Sequence, residues 1–173
     1  MITNSRSDNV NTRNLVVDIL LAVTRDGAFS HIAIRDVLDK YRYLPKQDRA
    51  FITRLSQGTI ERMIELDAII NQFSKTKVKK MKPVIAAILR SGVYQLKYMD
   101  SVPDSAACNE AVKLTVKRGF GGLKGFVNGV MRTIARNMDQ IRYPDAEKEP
   151  VRYLSVKYSI PEWLVQRFTE QYG

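Results

Sequence analysis

Apolar side chains recur every three or four residues along most of the chain, which is the spacing of one face of an α-helix. The clearest run lies between Ile85 and Leu96. Gly27 and Pro103 interrupt the spacing and predict helix ends. No run alternates apolar and polar residues between turn signals, as a half-buried strand would. The pattern predicts an all-α bundle of about seven helices, in two three-helix halves that meet near residue 75, followed by a C-terminal helical segment.

Serine and aspartate precede two of these helices. Ser30 is expected to cap the second helix, and Asp104 or Ser105 is expected to cap the sixth, because their side-chain oxygens can accept from free backbone N–H groups. The pattern changes after Pro144, where the acidic, proline-flanked sequence of residues 145–150 is typical of a linker. An aromatic-rich stretch and one more amphipathic helix follow the linker.

Basic residues are concentrated in one part of the chain. Residues 75–142 contain 14 Lys and Arg against 4 Asp and Glu, which accounts for the whole net charge of +10, because the remaining residues contain 14 of each. A confined basic excess favours a polyanionic partner, nucleic acid before membrane, although a solubilising surface is the alternative. No apolar run is long enough to span a membrane, and no signal peptide is visible. The single cysteine excludes a disulfide framework and favours the cytoplasm.

Residues 117–129, KRGFGGLKGFVNG, combine five glycines, three basic residues and two phenylalanines. They do not form a P-loop, because no hydroxyl residue follows Lys124, and Lys124 also occupies the third glycine position of a dinucleotide fingerprint. A turn between helices and an RNA-binding loop both fit the stretch. His31 and Cys108 have no partners at catalytic or metal-ligand spacing, so the sequence predicts no catalytic residue and no metal site.

Binding is therefore the chemistry that this composition favours. Proteins that bind single-stranded RNA stack bases on aromatic rings while lysine and arginine meet the phosphates. Phe120 is flanked by glycines and is the better candidate for exposure, whereas Phe126 also fits the apolar face of the next helix. The candidate RNA-binding residues from this pattern are Lys75, Lys77, Lys79, Lys80, Lys82, Lys113, Lys117, Arg118, Phe120, Lys124 and Phe126.

Two motifs carry a family resemblance. Residues 109–112, NEAV, and 125–130, GFVNGV, resemble the paired signatures of the NusB family, and weaker matches extend the resemblance over residues 9–142. It implies an all-helical RNA-binding domain over 9–142, with the rings of Phe120 and Phe126 at the RNA surface. It also adds Arg6 and Arg13 of the N-terminal helix to the RNA-binding candidates. Gly129 is expected to permit close helix packing, and Asn128 to need a hydrogen-bond partner.

The last residues narrow the resemblance. The segment 152–168, RYLSVKYSIPEWLVQRF, is similar to the connecting segment of RsmB-type (Sun-type) 16S rRNA cytosine-5 methyltransferases, so 143–173 would lead to a methyltransferase domain absent from this chain. The resemblance implies small-subunit rRNA and that domain as partners. It implies S-adenosylmethionine for the full-length enzyme and no cofactor here. A stand-alone antitermination factor, and a helical module whose basic face contacts its own missing domain, are the alternatives.

Overall fold

The structure is a computed structural model that describes residues 10–172. No β-strand occurs among these residues, which confirms the all-α prediction. The seven helices expected before residue 142 are present, and two more follow in the C-terminal segment. The helices are α1 (Thr12–Thr24), α2 (Ser30–Lys40), α3 (Lys46–Glu61), α4 (Met63–Phe73), α5 (Pro83–Tyr98), α6 (Asp104–Lys117), α7 (Lys124–Arg136), α8 (Pro150–Tyr158) and α9 (Glu162–Tyr172).

Helix α5 lies at the centre of the bundle. It packs against α1 and α3, and also against α4, α6 and α7. Its side chains Ile85, Ile88, Leu89 and Val93 are almost wholly buried, so α5 lacks the polar face of a surface helix. The two expected halves therefore share one continuous core. No helix in the described part of the chain is long and apolar enough to cross a membrane.

Two glycines allow neighbouring helices to approach α5 closely. A Cβ on Gly58 of α3 would overlap the ring of Tyr94, and a Cβ on Gly92 would lie 2.6 Å from the terminal methyl of Met131 on α7. Contacts of this length require a neighbour to move. Gly58 and Gly92 therefore set the helix spacing in the core.

The expected serine and aspartate caps do not form. Phe29 and Pro103 occupy the cap positions of α2 and α6 with extended backbone, so each helix starts one residue earlier than a cap at Ser30 or Asp104 would require. Asp104 lies in the first turn instead, where its negative charge interacts favourably with the positive end of the helix dipole. A side-chain cap forms at Asn11 of α1.

A buried carboxylate joins three parts of the fold. Glu65 of α4 is almost wholly buried and accepts hydrogen bonds from the hydroxyl of Tyr98 on α5 and from the hydroxyl of Tyr143, at 3.1 Å. The guanidinium of Arg62 donates to the same carboxylate at 2.8 Å. Burial, together with the charge and hydrogen bond of Glu65, raises the pKa of Tyr98 to about 12 and raises the pKa of Tyr143 as well. Glu65 thus anchors the start of the C-terminal segment.

Helix α8 is fastened to α4 by two more polar contacts. Arg62 also donates to the backbone carbonyl of Lys157 at 2.7 Å, and the Ser159 hydroxyl accepts from the Ile64 N–H at 3.1 Å. The Glu149 N–H donates to the Asp145 carbonyl at 2.8 Å, so residues 145–149 form a turn that leads into α8, and α9 packs on α8. The C-terminal segment is therefore docked onto the bundle at α8.

Candidate nucleic-acid interface

The glycine-rich stretch connects two core helices. Helix α6 ends at Lys117, and Gly119 follows with φ +86°, a left-handed conformation that glycine adopts without a Cβ penalty. The Gly119 N–H donates to the Val116 carbonyl at 3.0 Å and the Phe120 N–H to the Thr115 carbonyl at 2.9 Å, which is the Schellman pattern of a helix end. This confirms the turn between helices. We call α6, α7 and their connection, residues 104–136, the basic hairpin.

Three of the predicted lysines lie exposed on the basic hairpin. Lys113 is 72% exposed and its ammonium lies 3.5 Å from the Glu110 carboxylate, a surface pair that water and salt largely screen. Lys117 and Lys124 are also exposed, at the end of α6 and the start of α7. Within residues 10–172 neither forms an ion pair, so both charges are directed to solvent or to a partner.

Arg118 points into the molecule instead. Its guanidinium donates to the Asn14 side chain at 2.7 Å, to the Asn14 carbonyl at 2.8 Å and to the Asp18 carboxylate at 2.7 Å. Only 19% of the side chain is exposed. Arg118 therefore ties the turn to α1 and has its charge balanced by Asp18.

The two phenylalanine rings of the stretch are half-buried. Phe120 and Phe126 both pack against the hydrophobic core at their inner sides. Neither is among the strongly exposed apolar side chains of the described residues. Each ring thus presents one part to solvent while the remainder stabilises the fold.

The lysine cluster of residues 75–82 surrounds a single-turn 3-10 helix, Val78–Lys80. Val78 is buried, and its N–H donates to the Asn71 side chain at 2.9 Å, which fixes the turn on α4. The Lys77 ammonium donates to the Asn71 carbonyl at 3.0 Å. All five lysines of the cluster, Lys75, Lys77, Lys79, Lys80 and Lys82, are exposed.

Lys77 also lines an open groove of about 930 Å³ between α4 and the segment that follows α7. Arg142 and Arg152, which the sequence analysis did not single out, line the same groove. Arg152 pairs with Glu149 at 3.4 Å, an exposed contact. Lys77 thus lies in the same groove as Arg142 and Arg152, which are far from it in sequence.

The N-terminal candidates lie elsewhere. The guanidinium of Arg13 donates to the Gln95 side chain at 2.8 Å and lies 5.0 Å from the centre of the Phe51 ring, between α1, α3 and α5. Burial lowers the pKa of Arg13. Its side chain is half-buried in these contacts. Arg6 lies outside the described residues.

Two further arginines lie on α7. Arg132 donates to the Asn128 side chain at 3.0 Å and to the Asn109 side chain at 2.9 Å, and Arg136 is exposed one turn further along. The spacing of Asn128, Arg132 and Arg136 at every fourth residue was the signal that could have revealed them. The expectation that Asn128 has a partner is confirmed, since Arg132 is that partner. The expectation for Gly129 is wrong, because it is exposed and a Cβ there would meet no atom within 4 Å.

Chemistry other than binding has little support among residues 10–172. They contain no group of three His, Cys, Asp or Glu side chains placed to hold a metal ion. Cys108 is buried in α6, and burial raises the pKa of its thiol, which disfavours the reactive thiolate. The glycines of the hairpin follow a helix rather than a strand, so they do not form a nucleotide-binding loop of the usual kind.

The sequence of this chain is similar to known proteins of two kinds. A probable ribosomal RNA small subunit methyltransferase B from Bacillus subtilis is 36% identical over 161 residues, which are 93% of this chain and 35% of that protein. A transcription antitermination protein NusB from Nitratidesulfovibrio vulgaris is 32% identical over 130 residues, 69% of this chain and 79% of that protein. The chain spans about a third of the length of the methyltransferase relative.

The fold has a counterpart among solved structures. The NusB chain of a crystal structure of antitermination factors NusB and NusE in complex with dsRNA superposes with a TM-score of 0.66, at 21% identity, over 72% of this chain and 93% of that one. The model of the NusB family matches residues 10–136, which run from the start of α1 to the end of α7. Because this match covers most of the sequence, the chain belongs to the NusB family.

Proposed function

We propose that this chain is the RNA-binding domain of an S-adenosylmethionine-dependent rRNA cytosine-5 methyltransferase, and that it holds small-subunit rRNA for a catalytic domain elsewhere in the full-length protein. The boundary between the binding domain, residues 9–142, and the connecting segment, residues 143–173, is part of the proposal. Catalytic residues and the methyl donor are assigned to the rest of the enzyme.

The observation that carries the proposal is the extent of the relationship. The methyltransferase relative aligns with 93% of this chain, which includes residues beyond the family match that ends at 136. An alignment of that extent includes α8, which is docked onto α4 through Arg62, Ile64 and Ser159. A segment that is both shared with the methyltransferase and fastened to the bundle would set the position of the RNA-binding surface relative to a following domain.

The electrostatics support RNA as the partner. Lys117 and Lys124 are exposed on the basic hairpin beside two half-buried rings, Phe120 and Phe126. Lysines supply the nonspecific attraction to phosphate, and rings with one free face can stack with an unpaired base. Arg118 contributes indirectly, because it holds the turn that carries these residues.

The methyl donor is expected to bind outside these residues. A site for S-adenosylmethionine would need a pocket with polar groups converging on the ligand, and the glycines at 119–125 form a helix end and a 3-10 turn instead. No step of the methyl transfer is therefore assigned to this chain. Its residues bind and orient RNA.

The test uses the full-length enzyme, small-subunit rRNA and labelled S-adenosylmethionine. Replacing Lys117 and Lys124 together by Ala should raise the KM for rRNA about tenfold and leave kcat unchanged, because binding is lost equally from ground state and transition state. The matched control is the double replacement of Lys40 and Lys46, which are exposed on α2 and α3. An unchanged KM would show that the hairpin does not hold the substrate, and a full-length protein that methylates no rRNA would overturn the enzyme assignment.

A second candidate function is that of a free antitermination factor that binds RNA and a protein partner. It is favoured by the structural similarity to the NusB chain seen with NusE and dsRNA, which covers 93% of that chain. The two candidates differ in what residues 143–172 do. Disrupting the docked segment, for example by Ser159→Pro, should impair rRNA methylation in the first case and leave RNA binding by the bundle unchanged in both.

A further inference from the structure

The outer face of α7 has an unusual composition. Four of its residues, Gly125, Gly129, Arg132 and Arg136, lie on the side opposite the buried Val127, Val130, Met131 and Ile134. Gly125 and Gly129 are one helical turn apart and are exposed. The solvent side of this helix thus carries two residues without side chains next to two arginines, and the Thr133 hydroxyl donates to the Gly129 carbonyl at 2.7 Å.

Neither helix packing nor backbone conformation requires glycine at positions 125 and 129. A Cβ on either would meet no atom within 4 Å, and neither has the positive φ that requires glycine. Glycine is the least favourable helix residue apart from proline. Gly58 and Gly92 show the contrast, since both are in contact with a neighbouring helix. Gly129, in the interior of α7, therefore weakens the helix without an internal packing reason, and Gly125 lies in its first turn.

Arg132 is held in place without being neutralised. Its two hydrogen-bond partners, Asn109 and Asn128, are neutral amides, and they use two of the five N–H donors of the guanidinium. Among the described residues neither Arg132 nor Arg136 forms an ion pair with a carboxylate. An arginine whose orientation is fixed and whose charge is uncompensated is prepared to bind an anion, because less rotamer freedom is lost on binding.

The α6 side of the basic hairpin is also positively charged. Lys113 and Lys117 are exposed on α6, and the bond between Arg132 and Asn109 brings the exposed faces of α6 and α7 next to each other. The combined surface carries basic residues on both helices, with Glu110 as the acidic side chain close to Lys113. Its charge is complementary to a phosphate backbone.

We propose that the outer face of α7 is a track for the sugar–phosphate backbone of RNA, on which Arg132 and Arg136 bind phosphates. On this track Gly125 and Gly129 allow the RNA to lie directly against the helix. The inference rests on the proposed RNA-binding function and extends its site from the turn along the whole of α7. The track would position the RNA without reading its sequence, because phosphate contacts carry no direct sequence information.

The role of the two arginine charges in RNA binding is tested by fluorescence anisotropy. The chain is titrated against a labelled small-subunit rRNA hairpin at several salt concentrations. Arg132→Gln and Arg136→Gln should each weaken binding roughly tenfold. Each should also reduce the slope of log K against log salt by about 0.7, the value for one phosphate contact with a single strand. Arg35→Gln on α2 is the matched control and should change neither quantity.

The glycine requirement is tested by Gly129→Gln, with Ala50→Gln on the exposed face of α3 as the control. Because the added side chain meets open space, Gly129→Gln should raise the midpoint of thermal unfolding by about 2–4 °C. The same variant should weaken RNA binding at least tenfold, since the side chain would stand between the RNA and the helix. A gain in stability together with a loss of binding is not expected from a purely structural glycine.

The outcomes separate the two claims. If the wild-type chain does not bind RNA, the proposed function fails. If it binds with strong salt dependence and the arginine and glycine variants bind equally well, the track is wrong while the proposed function stands. In that second case the α7 face would serve another partner, such as a protein surface.

Discussion

Arg118 decides how the basic hairpin is held. Its guanidinium reaches two residues of α1, Asn14 and Asp18, whereas the neighbouring Lys117 points to solvent. The two side chains are adjacent and both are cationic, yet they have different roles. The difference arises from residues about a hundred positions away, which pack beside the end of α6.

Replacing Arg118 by Ala should therefore lower the free energy of unfolding by about 2 kcal/mol, because three charge-assisted hydrogen bonds are lost. Lys117→Ala should change it by less than about 0.5 kcal/mol, as is usual for an exposed side chain. Urea unfolding of the two variants measures both values. Equal effects would contradict the assigned roles.

The tyrosine pair at Glu65 gives the fold a specific alkaline dependence. The pKa of Tyr98 is raised to about 12 from an ordinary value of 10.0, so the folded state favours the neutral phenol. Below pH 10 this stabilisation is fully present, because Tyr98 is neutral in both states. Between about pH 10 and pH 12 the unfolded chain loses the proton first, so stability falls as pH rises.

Tyr98→Phe should flatten this part of the stability profile. The measurement is urea unfolding of wild type and variant at steps from pH 9 to pH 12, with Tyr158→Phe, an exposed tyrosine, as the control. The difference in unfolding free energy between wild type and Tyr98→Phe should shrink across this range. Parallel profiles would mean that Tyr98 ionises normally in the folded protein.

At the level of helices, the glycines have opposite roles that the sequence does not distinguish. Gly58 and Gly92 lie where α3 and α7 approach α5, whereas Gly125 and Gly129 face solvent. Gly58→Ala should cost about 1–3 kcal/mol, because the new methyl overlaps the ring of Tyr94.

Gly92→Ala should cost less than Gly58→Ala, because the side chain it meets is the flexible end of Met131. Gly129→Ala should be stabilising by up to about 1 kcal/mol, as expected for an exposed helix interior. Denaturant unfolding of the three variants measures the change in unfolding free energy for each and so tests this order. A destabilising Gly129→Ala would show that the glycine has an internal role.

The helices themselves could be predicted from the sequence, because their apolar positions recur at the helical period. The first residue of each helix was harder to predict. Ser30 and Asp104 have the right chemistry for a cap, but the preceding residues, Phe29 and Pro103, adopt extended backbone and the helices begin one residue early. The glycine-rich turn was predictable because Gly119 provides the local geometry of a helix end.

The candidate site was only partly predictable. Exposed lysines such as Lys117 and Lys124 follow from local pattern, but the contacts of Arg118 and Arg13 with other helices do not. Arg132 was missed because its partners, Asn109 and Asn128, belong to two motifs that come together only when α6 packs on α7. Tertiary neighbours, rather than composition, determine which basic residues remain available.

At the scale of the whole molecule, one hydrophobic core supports both the basic hairpin and the docked C-terminal segment. Helix α5 joins the elements that carry the basic hairpin to α4, on which the C-terminal segment is docked through Glu65. The net charge of +10 arises wholly from residues 75–142. This organisation agrees with the proposed function, in which one part of the surface binds a polyanion and another part leads to a following domain.

The central claim is that this charged surface binds small-subunit rRNA. The most direct measurement is a titration of the chain with a small-subunit rRNA hairpin and with an unrelated RNA of equal length, each at two salt concentrations. We expect tighter binding to the rRNA hairpin, with an affinity that falls by about 0.7 log units per phosphate contact for each tenfold rise in salt. Absent binding at low salt, or equal affinity for both RNAs, would contradict the assignment of rRNA to this domain.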